Sequence, residues 1–370
     1  MPLHAFLIAL CALVLTACEK PEDDTPADDF DRAALLANWA DGVILPAYTT
    51  WANEVSTLHT ALLNLHPEAD MAELETAREA LHRARTSWQT VAYFDFGPAS
   101  NQGLSAIANI YPVDVEQVMD NLSASNVNLE TPANLAAGGF EALDYLLYGT
   151  GDDATAVLDF LATETGALDY CQRIGALLKE KAITVRDAWD PASGNYRSTF
   201  VGATGTDVGS GLGLMLNAFN RVYEADVRKN KLGLPSGAMT FSMTPLPDHV
   251  EGAYSQTASN DYLLAALDAC NRIYNGINAE GMDGVGLDDY LHALGATHLD
   301  APLTTAIQDQ WKAATTAVEA LPAPLATTVV TDQQACLDAY AELQQMVVLY
   351  KVDMMSCLGV LVTYQDNDGD

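Results

Sequence analysis

The sequence predicts an all-α protein built as two helical bundles packed side by side. Three observations carry that expectation. Apolar residues recur at helical spacing along most of the chain, alternating strand-like runs are scarce, and the intervening segments are rich in Gly, Pro, Asn and Asp. A chain of 370 residues, 49% hydrophobic and 18% charged, is globular in composition and long enough for two cores.

Taken in order, residues 5–17 form an apolar run too short to cross a bilayer as a helix and ending in small residues, as a signal peptide does. Leu15-Thr16-Ala17-Cys18 resembles a bacterial lipobox, in which the Cys is acylated and becomes the first residue of the mature chain. We therefore expect a lipoprotein signal peptide over 1–17, lipidation at Cys18 and an acidic, Pro-containing tether over 18–32. Glu19 stands after that Cys in place of an Asp that would favour inner-membrane retention, which points to a periplasmic or outer-membrane location in a bacterial cell envelope.

Helical spacing then runs over 33–65 to the His66-Pro67 break, and over 71–93, where Leu74, Ala77, Leu81, Ala84, Trp88 and Val91 make one apolar stripe. Trp88 lies on that stripe and is expected to pack in the core. Phe96-Gly97-Pro98 stops the second helix. Further helices are expected over 114–124, 138–148, 153–187, 208–226, 257–276, 286–294, 302–320 and 332–360, with loops over 188–206 and 229–252. The Gly-rich stretch 194–213 places the boundary between an N-terminal bundle, 33–200, and a C-terminal bundle, 201–370.

The formal net charge is −33. Such a surface repels nucleic-acid phosphates and anionic headgroups, which excludes nucleic acid as a partner, and it suits cations, basic partners or plain solubility. Cys171, Cys270, Cys336 and Cys357 form no CxxC pair, so a zinc ribbon has no support; in apolar helical runs free, buried thiols are the default, while an oxidising compartment permits disulfides in any of three full pairings.

Chemistry concentrates at Gly139-Phe140-Glu141-Ala142-Leu143-Asp144-Tyr145-Leu146-Leu147-Tyr148-Gly149. On a helix, Glu141, Asp144, Tyr145 and Tyr148 share one face while Phe140, Leu143, Leu146 and Leu147 occupy the other. Two carboxylates at this spacing present oxygen ligands alone, which favours a hard cation such as iron or calcium, and they can also share a proton. Asp353 interrupts the apolar run 346–360, and a buried acid there needs a partner from another segment. Glu79-x-x-His82 has the spacing of a di-iron half-site but no second pair accompanies it, and Asp366, Asp368 and Asp370 do not complete a calcium loop. No HExxH, GxSxG, P-loop or GxGxxG is present.

The 139–149 segment resembles the signature of the imelysin-like proteins, peptidase family M75, which is Gly-x-His-x-x-Glu followed by aromatic-Leu-Leu-aromatic-Gly. Collinear likenesses extend it: Arg85-Thr86-Ser87-Trp88-Gln89, Tyr111-Pro112-Val113-Asp114, Lys231 to Gly237, Glu251 with Tyr254-Ser255, and Lys351 to Val360. The resemblance implies an exported bacterial protein of two helical bundles, linked to iron uptake, with its site in an interdomain cleft. By position, Glu141 and Asp144 would be metal ligands there, and Asp114, Tyr145, Glu251, Ser255 and Asp353 would bind ligand. The implied partners are a metal ion or metal complex, other iron-uptake membrane proteins, and the membrane through the lipid on Cys18. Glu141 stands at the family's His and Asp144 at its Glu, which removes the nitrogen ligand that a zinc hydrolase needs. A binding protein is therefore favoured over an M75-type metallopeptidase, or over a cleft turned into a receptor surface.

Overall fold

The chain's first helix is capped before it starts. Asp31 accepts from the Ala34 N–H at 3.0 Å and opens α1, Arg32–Asn38. The rod continues through wider π-type turns, Trp39–Ile44, into α2, Leu45–Asn64, so 32–64 is continuous. The computed structural model describes residues 29–124 and 126–364. The expected signal peptide, Cys18, most of the tether, and Asp366, Asp368 and Asp370 lie outside the described residues.

A capping box made by Asp70 and Glu73 starts α3, Met71–Val91. Short helices come next: α4 Pro98–Asn101, α5 Leu104–Ala108, α6 Val115–Ser123 and α7 Gly139–Asp144. After them the chain forms α8 Ala154–Thr163, α9 Ala167–Trp189, α10 Tyr196–Gly202 and α11 Gly211–Arg221. The C-terminal part holds α12 Ser259–Tyr274 and α13 Leu287–Ala293, then a two-residue antiparallel ladder of β1 Thr297–His298 and β2 Ala301–Pro302. It ends with α14 Leu303–Glu319, α15 Leu325–Thr331, α16 Gln333–Val347 and α17 Met355–Cys357.

The all-α expectation is met, and several boundaries move. The helix expected over 153–187 is two, because the chain turns at Gly166, with φ +88° and a backbone pressed so close to the Leu122 carbonyl that no Cβ would fit. The expected loop 188–206 contains α10. The helix expected to stop at 226 runs on to Gly233, since Val222–Gly233 widens into π-type turns that carry it past the point where the 3.6-residue apolar stripe fails. Similar turns occupy Tyr145–Gly149 and Val348–Met354.

In the first half of the chain α2 lies against both α3 and α9, and Trp51, Trp88 and Phe140 stack through the middle with centroid separations of 5.2 and 6.5 Å. Trp88 is buried, as its stripe position required. In the second half α14 packs on α16 and α12, and Phe219, Tyr223 and Tyr274 surround Tyr350. The halves meet where α3 lies on α12, and Trp39 Nε1 reaches across to the Ile273 carbonyl at 3.0 Å. This seam sets the site. The four cysteines are free; Cys357, expected to be buried, is exposed on the last turn. Among the described residues no helix is long and apolar enough to cross a membrane.

Candidate functional site

Helix α7 is held where it is by its first residue. Gly139 has φ +64°, and a Cβ there would collide with the Ala108 and Ile107 carbonyls of α5. With α7 so placed, Phe140 and Leu143 enter the core, and Glu141 and Asp144 turn toward α3 and the segment before α12. The π-type turns beyond α7 send Tyr145 against Tyr254, centroids 5.2 Å apart, and Tyr148 under Arg78.

Helix α3 contributes Arg85 and Gln89. The Arg85 guanidinium is wholly buried and stands among three carboxylates. Its Nη2 donates to Glu141 Oε1, its Nη1 lies 3.7 Å from Asp144 Oδ1, and its Nε lies 3.5 Å from Glu251 Oε1. The Tyr262 ring of α12 covers it at 4.9 Å. Glu251 Oε2 accepts from Lys231, and its Oε1 accepts from Gln89 Nε2 at 3.0 Å and Asn109 Nδ2 at 2.7 Å. Lys231 lies 3.5 Å from Asp226, whose other oxygen accepts from Tyr111 at 2.7 Å.

The α7 carboxylates also hold a loop. Glu141 Oε1 accepts the Gly252 N–H at 2.9 Å, and Asp144 Oδ2 accepts the Tyr254 and Ser255 N–H groups at 2.9 and 3.2 Å. Gly252, with φ +70°, lets the chain turn so that these donors converge. Glu141 and Asp144 thus bind a peptide segment of the chain's own second half.

The electrostatics arise from three buried carboxylates facing two buried cations. Burial pushes Glu141 up to about 8, against the pull of Arg85 and with the help of Asp144. Burial raises Asp144 too, although Arg85, Ser255 and the loop amides oppose it. Glu251 goes the other way: burial would raise it, but Lys231 and Arg85 together hold it below the usual carboxylate range. Arg85 remains charged, since the carboxylates outweigh its own burial. Burial thus raises both α7 carboxyls, while Lys231 and Arg85 hold Glu251 low.

Beside Ser255 a cavity of about 390 Å³ opens to solvent, lined by Glu75, Glu79 and Asp261 together with Arg78, Arg83, His82 and Tyr148. His82 Nε2 lies 3.8 Å from Asp261 across it. The Glu79–His82 pair, which spacing alone could not use, faces this cavity.

Of the residues singled out from the sequence, Glu141, Asp144, Glu251 and Ser255 come together, with Tyr145 beside them on Tyr254. Asp114 does not join them: it caps α6, accepting the Gln117 N–H at 3.0 Å, and is exposed. Nor does Asp353, which is 26% exposed rather than buried and meets His298 Nδ1 at 2.7 Å. Sequence reasoning passed over Arg85, Gln89, Asn109 and Lys231 as site residues. The available signal was a polar stripe on α3, Arg78, His82, Arg85 and Gln89, at i, i+4, i+7 and i+11.

The profile of the imelysin family, peptidase M75, matches residues 44–348. The chain belongs to the imelysin family. It is 26% identical over 307 residues to iron-regulated protein A of Synechococcus elongatus (strain ATCC 33912 / PCC 7942 / FACHB-805), an alignment covering 80% of this chain and 77% of that protein. Its fold is that of an imelysin-like protein from Psychrobacter arcticum 273-4, with a TM-score of 0.68 at 17% identity over 92% of this chain and all of the other. A candidate iron-regulated protein A precursor from Parabacteroides distasonis ATCC 8503 is similar, with a TM-score of 0.67 at 17% identity over 88% and 96% of the two chains.

The donor set of this imelysin-family site does not fit a bare metal ion at Glu141 and Asp144. Glu141 Oε1 and Asp144 Oδ2 already accept from Arg85 and three backbone amides; Asp144 Oδ1 makes no hydrogen bond among the described residues but lies 3.7 Å from Arg85 Nη1, so a cation added there would meet the positive charge of Arg85 at close range. Among the described residues no three His, Cys, Asp or Glu side chains converge as a metal-holding group.

Proposed function

We propose that this chain is a non-hydrolytic binding protein of the bacterial cell envelope that serves iron acquisition. It takes a preformed metal-containing or cationic ligand in the cavity between α3 and the 251–261 segment. One observation carries the reading: Arg85 stands among Glu141, Asp144 and Glu251, so the motif carboxylates are engaged inside the protein, bracing the 252–255 loop beside the cavity. The cavity walls carry Glu75, Glu79 and Asp261 beside Arg78 and Arg83; Arg83 also pairs with Glu54 and Arg78 is held on the Leu147 carbonyl, so the surplus carboxylate charge suits the outer face of a cationic complex and requires no open coordination position. Kinship with iron-regulated protein A supports the link to iron. The lipobox-like Leu15-Thr16-Ala17-Cys18 supports anchoring through a lipid on Cys18, which would place the chain beside iron-uptake membrane proteins.

The test is equilibrium dialysis of the full chain at physiological salt against hexaamminecobalt(III), an inert cationic metal complex, and, separately, zinc chloride. The expected result is saturable retention of the cationic complex, weakened several-fold by Asp261→Asn with Glu79→Gln and little changed by Glu141→Gln. Tight zinc retention with cleavage of an unfolded protein substrate, both lost in Glu141→Gln, would overturn the reading in favour of a metallopeptidase. For the anchor, Cys18→Ala is expected to release the chain from the membrane fraction of producing cells.

A further inference from the structure

A cavity of about 190 Å³ that shares no lining residue with the acidic cavity lies between the start of α2, the end of α3 and α12. Its walls are mostly aliphatic, with Val43, Pro46, Ile273 and Ile277 among them, and among the described residues no carboxylate lines it. Of the described residues Arg272 is the one charged group facing it.

That arginine stands out in a chain with 50 acidic and 17 basic side chains. Arg78, Arg85, Arg197, Arg221 and Arg228 each have a carboxylate partner, whereas Arg272 has none among the described residues. Its Nη2 donates to the Asn278 carbonyl, which fixes the guanidinium, and Nε and Nη1 are left without an acceptor among the described residues. Thr50 and Thr90 also line the cavity, and their hydroxyls too make no hydrogen bond among the described residues.

We propose that this cavity binds a small aliphatic monocarboxylate. The carboxylate accepts from the Arg272 guanidinium N–H groups that Asn278 leaves open, with help from Thr50 and Thr90, and the alkyl body lies on Val43, Pro46 and Ile273. A planar fork of N–H donors matches a carboxylate. A single cation in so negative a molecule disfavours a dianion such as phosphate. The aliphatic walls require an apolar body. At ~30 Å³ for each water-sized group the space admits roughly six such groups, so the body is short.

Titration calorimetry and saturation-transfer NMR of the full chain with pentanoate, pentanamide and inorganic phosphate at physiological salt test the proposal. Pentanoate is expected to saturate one site, with pentanamide and phosphate each at least about tenfold weaker, as loss of a charge-assisted pair requires. Arg272→Gln should weaken pentanoate by a similar factor. Arg272→Lys, which keeps the charge and loses the fork, should weaken it less, and Ala47→Leu should block it by filling the cavity. Thermal melts of each variant separate loss of binding from loss of fold. Failure of pentanoate to bind, equal binding of acid and amide, competition by phosphate at equal concentration, or unchanged affinity in a folded Arg272→Gln each overturns the proposal.

Discussion

Arg85 of α3 and Glu141 of α7 form an ion pair in which neither side chain is more than 2% exposed. The pair organises everything near it. The same guanidinium reaches Asp144 and Glu251, and the same Glu141 oxygen receives the Gly252 N–H of the loop. The two halves of the chain are joined through this charge cluster as well as through the apolar seam of α3 and α12.

Removing the cation should expose its role. Arg85→Met leaves three buried carboxylates with Lys231 as their one buried counter-charge, and breaking a buried pair from one side costs about 3–5 kcal/mol. Urea denaturation at neutral pH should report a loss of that order. The loss should shrink in acid as the orphaned carboxylates take up protons. A variant that loses less than about 1 kcal/mol at neutral pH would show that the cluster relaxes into water, and the assigned role would fail.

The pH dependence of stability has a definite sign. Glu141 binds its proton more tightly folded than unfolded, so the stability it contributes is fully present below its ordinary value of 4.5 and is lost as pH rises through about 8. Asp288, raised to about 6 chiefly by burial with help from Asp289, acts in the same direction over a lower window. Glu251, held low by Lys231 and Arg85 against its burial, acts oppositely: its contribution is present above 4.5 and is lost as pH falls through its depressed value. The melting temperature should therefore fall from pH 6 to about 8, and Glu141→Gln should flatten that decline while Asp288→Asn leaves it. An equal slope in wild type and Glu141→Gln would remove Glu141 as the titrating group.

These groups illustrate what the sequence could and could not disclose. Regular helices such as α3 declared themselves, because Asp70 and Glu73 cap the start and the apolar stripe keeps its period to Val91. The wider turns after Asp144, Arg221 and Val347 did not, since they shift the register that pattern reading depends on. Glu141 and Asp144 were visible as a polar pair on an apolar helix. Their partner was hidden, because Arg85 reads as one more charged residue on an amphipathic helix until α7 is folded against it. Asp353 misled for the converse reason: an acid among apolar residues looks buried, yet the helix presents it to His298 at a part-exposed edge.

Two glycines of the motif segment should differ in cost. At Gly139 the obstacle to a Cβ is the backbone of α5, and φ is +64°, so Gly139→Ala has no side chain to push aside. A loss of at least about 2 kcal/mol is expected from steric strain and a displaced α7. At Gly149 the obstacle is the Tyr254 ring, which can rotate. Gly149→Ala should cost about 1 kcal/mol, and Gly149→Ala in a Tyr254→Ala background should cost almost nothing beyond Tyr254→Ala alone. Urea denaturation of each variant beside wild type checks both statements.

Restoring the family's histidine should destabilise the cluster without creating a zinc hydrolase. Glu141→His would set an imidazole against the buried Arg85 guanidinium and remove one of the carboxylates that neutralise it. The new ring would have Asp144 nearby as an oxygen ligand, but among the described residues no second nitrogen ligand is in place, and Arg85 would repel an arriving zinc ion. The expected outcome is a loss of about 3 kcal/mol in urea denaturation, as for other half-broken buried pairs, with no zinc-dependent cleavage of an unfolded protein substrate. Arg85→Met with Glu141→His should recover part of the stability, since the imidazole then no longer faces a cation. Zinc-dependent, chelator-sensitive cleavage by Glu141→His alone would show that Arg85 yields its place readily, and that the charge cluster is no barrier to metal chemistry.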